Sequence, residues 1–207
     1  MTALAQSVSR PRSALFDVGL VVVGSLVIAG LAQVAVHLRF VPITGQTLGV
    51  LLVAATLGAG RGSAAVALYL AEGAAGIPVF AEGGSGFQYL LLRDPLHVTG
   101  GYLWGFLLAA ATVGFLAERG WDRHLGSALG AMLLGNVAIY LVGLPWLAAA
   151  LGIPVVETTP SPCDLTSAAG CDALELGLYP FVVGDVIKLV VAAALLPAAW
   201  RLARRGG

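Results

Sequence analysis

Six apolar runs dominate this chain, and their lengths restrict what it can fold into. They cover roughly Phe16–Val36, Gln46–Leu57, Ser63–Val79, Gly100–Ala117, Leu125–Leu151 and Pro180–Trp200, separated by polar or Gly/Pro-rich breaks. A bilayer core of about 30 Å takes ~17–25 helical residues at ~1.5 Å each, so only the second run is short for a span. Charged residues make up 11% of the 207, whereas a soluble domain carries about 25% to coat its surface. The apolar surface must face lipid. These features predict an all-α integral membrane protein of six transmembrane helices, a single domain over residues 1–207. The first run follows a polar stretch with Arg10 and Arg12 and has no small-residue cleavage site, so it reads as a retained helix and not a signal peptide.

Basic residues set the orientation. With six spans both termini share a side, and with them lie Arg10, Arg12, Arg61, Arg119, Arg123, Arg201, Arg204 and Arg205. The other side holds Arg39 and Arg93. By the positive-inside rule both termini are cytoplasmic, in a bacterial inner membrane. Glu82, Asp94, Glu157, Asp164, Asp172 and Glu175 fall in the outer loops, which are also the long ones, about Ala81–Thr99 and Gly152–Tyr179. Long loops on one face place the working side outside. Cys163 and Cys171 both lie in the last outer loop, where an oxidising compartment favours a disulfide. No Cys/His spacing suggests a metal, and neither a cofactor nor a nucleic-acid partner is expected.

The chemistry concentrates in the last span. An Asp or Lys at the centre of a membrane helix costs about 2.5–3.5 kcal/mol, yet Asp185 and Lys188 both occur there, and Lys188 is the chain's only lysine. Three residues apart, they share a helical face that must point at the bundle interior or a wet cavity. Asn136 and Tyr140, four apart in the fifth run, share another face; alone they are either interhelical glue or readers of a polar ligand. Thr99-Gly100-Gly101-Tyr102 opens the fourth span at its outer end, where free N–H groups favour an anion and glycine lets a ligand approach; Arg93 lies just upstream. The first outer loop, Phe40 to Thr47, carries Thr44, Gln46 and Thr47 and is either a lid or a connection. Glu72 faces the cavity or a polar interface.

These residues sit in six ordered motifs: Val41–Leu48, Gly73–Ala81, Thr99–Phe106, Gly135-Asn136 through Tyr140, Gly143–Leu147 and Gly184–Lys188. Together they resemble the BioY biotin transporters, substrate-binding S-components of energy-coupling factor importers, over nearly the whole chain. The resemblance implies an S-component-like bundle that binds biotin at the outer face, with the first loop as lid. Asp185, Lys188 and Asn136 meet its polar groups, joined by Gln46 and the Thr99–Tyr102 turn. Asp185 accepts the ureido N–H groups and has the ligand as its main partner, and the ligand carboxylate lies at the Thr99 turn or Arg93. It also implies docking on a membrane coupling subunit driven by two ATPase subunits, since this chain has no phosphate-binding Gly-x-x-x-x-Gly-Lys-Ser/Thr loop of its own. A stripe of small residues in the first span, Gly24, Ser25, Ala29 and Ala32, offers a docking face. The rival reading is a stand-alone proton-coupled carrier using Asp185 or Glu72. An intramembrane enzyme lacks its motifs, with neither Gly-x-Ser-x-Gly nor His-Glu-x-x-His present.

Overall fold

A computed structural model describes residues 14–36, 41–91, 98–157, 163–164 and 168–205. Among them five helical segments are long and apolar enough to cross a membrane. They are α1 (Ala14–Ala32), α2 (Gln46–Ala74), α3 (Gly100–Glu118), α4 (Leu125–Leu151) and a final stretch in which short α5 (Ala173–Gly177) leads through a 3-10 turn into α6 (Val182–Arg205). A two-stranded ribbon joins α1 to α2, with β1 (Ala35–Val36) antiparallel to β2 (Ile43–Thr44) and Ala35 opposite Thr44.

The expected second and third spans are joined in α2, where the break between them shrinks to one residue. Gly58 stands at φ 84°, ψ 176°, a conformation that suits glycine and few other residues. The chain reverses there. An uninterrupted helix would hold Gln46 and Tyr69 about 34 Å apart, yet the Gln46 side-chain amide donates to the Tyr69 hydroxyl. The two arms also pack closely, since a Cβ on Gly62 would lie 2.8 Å from Ala54 Cα. Glu118, the last residue of α3, holds the reversal by accepting from the Ala59 N–H at 2.9 Å.

Around this hairpin, α2 packs on α3, α3 on α4, and α4 on α6, which returns to touch α2; α1 lies against α2 from outside the ring. One face of α1, comprising Gly24, Ser25, Ile28, Ala29 and Ala32, is buried. A Cβ on Gly24 would meet Ala65 Cβ at 2.9 Å, and Ser25 donates to both Glu72 carboxylate oxygens at 3.1 Å. The expected docking stripe is therefore spent inside the chain: its small residues let α1 approach α2 and leave no free face there. Glu72 accordingly belongs to a polar helix–helix interface.

The bundle is apolar on its surface as well as in its core, with a few polar side chains buried. Leu15, Val23, Leu26, Leu133, Leu141, Val183 and Ile187 are exposed, while Ser25, Gln46, Asp122, Asn136 and Asp185 are buried. Lipid makes sense of this pattern, because apolar side chains lose nothing in oil and polar ones need partners there.

Candidate ligand site

Asp185 occupies the first turn of α6, where the partial positive charge of the helix start favours a carboxylate. Its Oδ2 accepts from the Asn136 amide at 3.0 Å and from the Tyr140 hydroxyl, both on α4. Its Oδ1 accepts from Lys188 Nζ at 3.1 Å, and Lys188 also donates to Thr47 Oγ1 on α2 at 3.1 Å. A carboxylate has about four acceptor positions and an ammonium three N–H donors. Three of the former and two of the latter are engaged, so the pair keeps acceptor and donor capacity in reserve.

That reserve faces a hollow. A cavity of about 620 Å³, its open mouth included, is bounded by Asp185, Lys188 and Tyr140 on one side and by Thr44, Gln46 and Thr47 on another. The remaining wall is mostly apolar or aromatic, with Phe80, Tyr89, Tyr102, Leu103, Phe106 and Phe181. A few polar groups set in an apolar wall is the pattern of small-molecule pockets.

Each helix contributes for a local reason. Thr44 donates to Gln46 Oε1 at 3.0 Å and accepts from the Gln46 N–H at 3.2 Å, so the end of β2 fixes the first side chain of α2. Phe80 stacks edge-on with Tyr69, ring centroids 5.5 Å apart, and lies 5.4 Å from Tyr89. It can sit there because position 73 is glycine; a Cβ on Gly73 would fall 2.1 Å from the Phe80 ring. Tyr102 crosses Tyr140 at 6.0 Å, nearly perpendicular.

Of the residues singled out from sequence, Asp185, Lys188, Tyr140, Gln46, Thr99 and Tyr102 line the cavity. Asn136 lies behind Asp185 and holds it. Tyr102 offers its ring, because its hydroxyl is committed to the Gly177 carbonyl at 2.9 Å. Gly100 and Gly101 do something other than admit a ligand. A Cβ on Gly101 would lie 2.2 Å from Trp146 Cβ, and one on Gly100 2.6 Å from the Tyr89 carbonyl oxygen. They make room for Trp146 to pack α4 on α3. The expectation that Asp185 has the ligand as its main partner also gives way, since three protein side chains already engage it. Arg93 lies outside the described residues.

The apolar wall escaped the sequence reading. Phe80, Leu103 and Phe106 had a faint signal in the Gly73–Ala81 and Thr99–Phe106 motifs, but nothing distinguished Tyr89 or Phe181 from lipid-facing neighbours. In the loop after α4, Cys163 and Cys171 are bonded, the pairing expected from their shared loop. Asp172 and Glu175 cap α5 reciprocally, Asp172 accepting from the Glu175 N–H at 2.8 Å and Glu175 from the Asp172 N–H at 3.3 Å. These two acids therefore serve the loop's own architecture.

A ring of helices around a half-polar cavity, with lipid-compatible outer faces, is the architecture of a membrane solute-binding subunit. Residues 5–205 match the model of the BioY family, and the chain belongs to that family. The biotin transporter BioY of Thermotoga maritima is 38% identical over 83% of this chain and 87% of its own, and that of Rhizobium etli is 35% identical over 75% of each. The crystal structure at 2.1 Å of the S-component for biotin from an ECF-type ABC transporter superposes with a TM-score of 0.69. It covers 92% of this chain and 95% of its own at 21% identity, and so speaks to the fold. The family is one of transporters and not enzymes.

Proposed function

We propose that this chain captures biotin at the outer face of a bacterial cytoplasmic membrane and passes it inward with an ATP-driven coupling module. The observation that carries the reading is the Asp185–Lys188 pair at the cavity wall. A ureido group presents N–H donors and a carbonyl acceptor close together. Asp185 accepts from the N–H groups with its remaining Oδ1 capacity, and the third N–H of Lys188 donates to the carbonyl. Phe80, Tyr89, Phe106 and Phe181 surround the apolar body. Thr99 receives the ligand's carboxylate end, with Arg93 nearby in sequence.

In this reading residues 1–207 form one binding unit with six crossings, the two arms of α2 counting separately, and with both termini cytoplasmic. The positions of the charges support it. The cavity gathers the ends of β2, α3, α4 and α6 at one pole, whereas Arg61, Arg119, Arg123 and Arg201 collect at the other, where basic residues accumulate on cytoplasmic faces. Arg61 is anchored there by Asp17 at 3.0 Å. The energy comes from a membrane coupling subunit and two ATPase subunits; α1 meets that partner on its outward-facing side. Glu72 lies outside the cavity wall and is held by Ser25, which weakens the case for it as a proton carrier.

Mass spectrometry of the small molecule retained by the protein purified in detergent is the direct test. Biotin is expected at near-stoichiometric yield, and much less of it with Asp185→Asn. A purified protein that neither retains nor rebinds biotin overturns the proposal.

A further inference from the structure

At the pole opposite the cavity, a second cleft opens between the start of α4 and the last turns of α6. It is bounded by Arg123, His124, Leu125, Ala194, Pro197 and Arg201, with a volume of about 800 Å³ including its open mouth. Three of its six lining residues are basic and the rest apolar. Among the described residues no carboxylate forms an ion pair with either arginine. Asp122, the nearest acid in sequence, is almost fully buried, does not line the cleft, and has its Oδ2 engaged by the Trp200 indole N–H.

Both guanidinium groups are held in place. Arg123 lies over the Trp200 ring, 4.7 Å from its centroid, and its buried Nε has no hydrogen-bond partner among the described residues. Arg201 donates through Nε to the Pro197 carbonyl at 3.4 Å, leaving its terminal N–H groups free for another acceptor. Two such forks on one cleft suit a phosphate, which accepts several N–H bonds at once. The surroundings indicate what carries the phosphate. Leu125 lines the cleft and is exposed, and Val190 and Val191, exposed on α6 four and three residues before Ala194, place an apolar strip on the same helical face. A soluble anion or an acidic peptide has no use for that strip, whereas acyl chains fill it.

We propose that this cleft binds the headgroup of an anionic phospholipid. Arg123 and Arg201 hold the phosphate, His124 borders it, and Leu125, Ala194 and Pro197 meet the glycerol and the upper acyl chain. The inference is independent of the identity of the solute in the cavity. It needs only that this pole lies at a membrane surface.

Native mass spectrometry of the full chain tests it, with phosphatidylglycerol and phosphatidylcholine supplied in equal amounts in detergent. Phosphatidylglycerol is expected to be retained in preference, and Arg201→Gln to weaken its retention about fivefold, as removal of about 1 kcal/mol per basic residue implies. Arg201 is exposed and, among the described residues, bonds only its own helix, so this variant keeps the fold. Arg123→Gln/Arg201→Gln is expected to erase the preference, and Arg123→Lys/Arg201→Lys to restore part of it. Equal retention of the two lipids overturns the proposal, as does a preference that survives loss of both arginines. Thermal stabilisation by inorganic phosphate or by a polyglutamate peptide as large as that by phosphatidylglycerol also overturns it, pointing to a soluble anion or a protein partner.

Discussion

The two poles of the bundle treat charge in opposite ways. At the cavity pole a carboxylate and the sole lysine turn inward, and each is bonded by neighbours from other helices. At the far pole arginines rest on aromatic rings near the helix ends, Arg119 over Phe115 and Arg123 over Trp200. The difference lies in what each pole must exclude. A charge in the helix bundle survives only with a near-complete set of partners, because water is not there to supply them. A charge at the helix ends has water and headgroups within reach and needs only a place to rest. Polarity at the first pole is therefore a matter of geometry, and at the second a matter of composition.

Substitution should expose this contrast most strongly at Asp185. Asp185→Ala leaves Lys188 without its counter-charge and should cost about 3–5 kcal/mol, as removal of one partner of a buried pair does. Solute retention should be lost with it. Pairing the change with Lys188→Met should return most of the stability and none of the retention, measured by thermal unfolding in detergent beside ligand capture. Equal recovery of both would mean that the pair serves packing alone.

Reduction of the Cys163–Cys171 bond, which joins positions eight apart in sequence, should cost about 2.5 kcal/mol on loop-entropy grounds. The loss should fall mainly on the outer loop and α5. Hydrogen exchange should rise around Asp172–Gly177 and leave the Trp121–Arg123 turn unchanged. A similar but smaller effect is expected for Gly101→Ala, about 1–3 kcal/mol, because the new methyl overlaps Trp146 and pushes α4 from α3. Ligand retention should weaken with it through Tyr102 and Tyr140, while lipid preference at the other pole stays the same.

Asp122 gives the smallest effect and the clearest sign. Burial pushes its carboxyl above the usual 3.8, against the pull of the Trp200 hydrogen bond and Arg123. The native state thus holds this proton more tightly than the unfolded chain, so the group's contribution to stability grows as pH falls from its raised native value toward 3.8 and shrinks as pH rises. Asp122→Asn should flatten that part of the profile and melt no lower than the parent near neutrality. Asp122→Ala, which strands the Trp200 N–H, should cost about 1–2 kcal/mol. Melting curves between about pH 4 and pH 7 read both.

How far the sequence reveals the molecule follows from the same contrast. Leu125–Leu151 and Gly100 onward were legible as spans, because a long apolar run bounded by polar breaks has few alternatives in oil. Asp185, Lys188, Asn136 and Tyr140 were legible because polarity inside such a run is costly enough to need a reason. Most of the apolar wall was not: a Phe181 in the cavity wall and a Phe115 on the outer surface look alike in one dimension. The small residues of α1 marked a close contact but not its partner, which proved to be α2. Glycine before a helix suggested room for a ligand, and only the packing of Trp146 shows what fills that room.

The reversal at Gly58 bears on how the protein enters its membrane. The arm from Gln46 to Leu57 reaches about 18 Å as a helix, well short of the ~30 Å slab, and begins with a side chain that needs Tyr69 on the opposite arm. Threaded alone, it would leave that amide unanswered in hydrocarbon. The two arms make up each other's shortfall only side by side, and the turn at Gly58 is what sets them there.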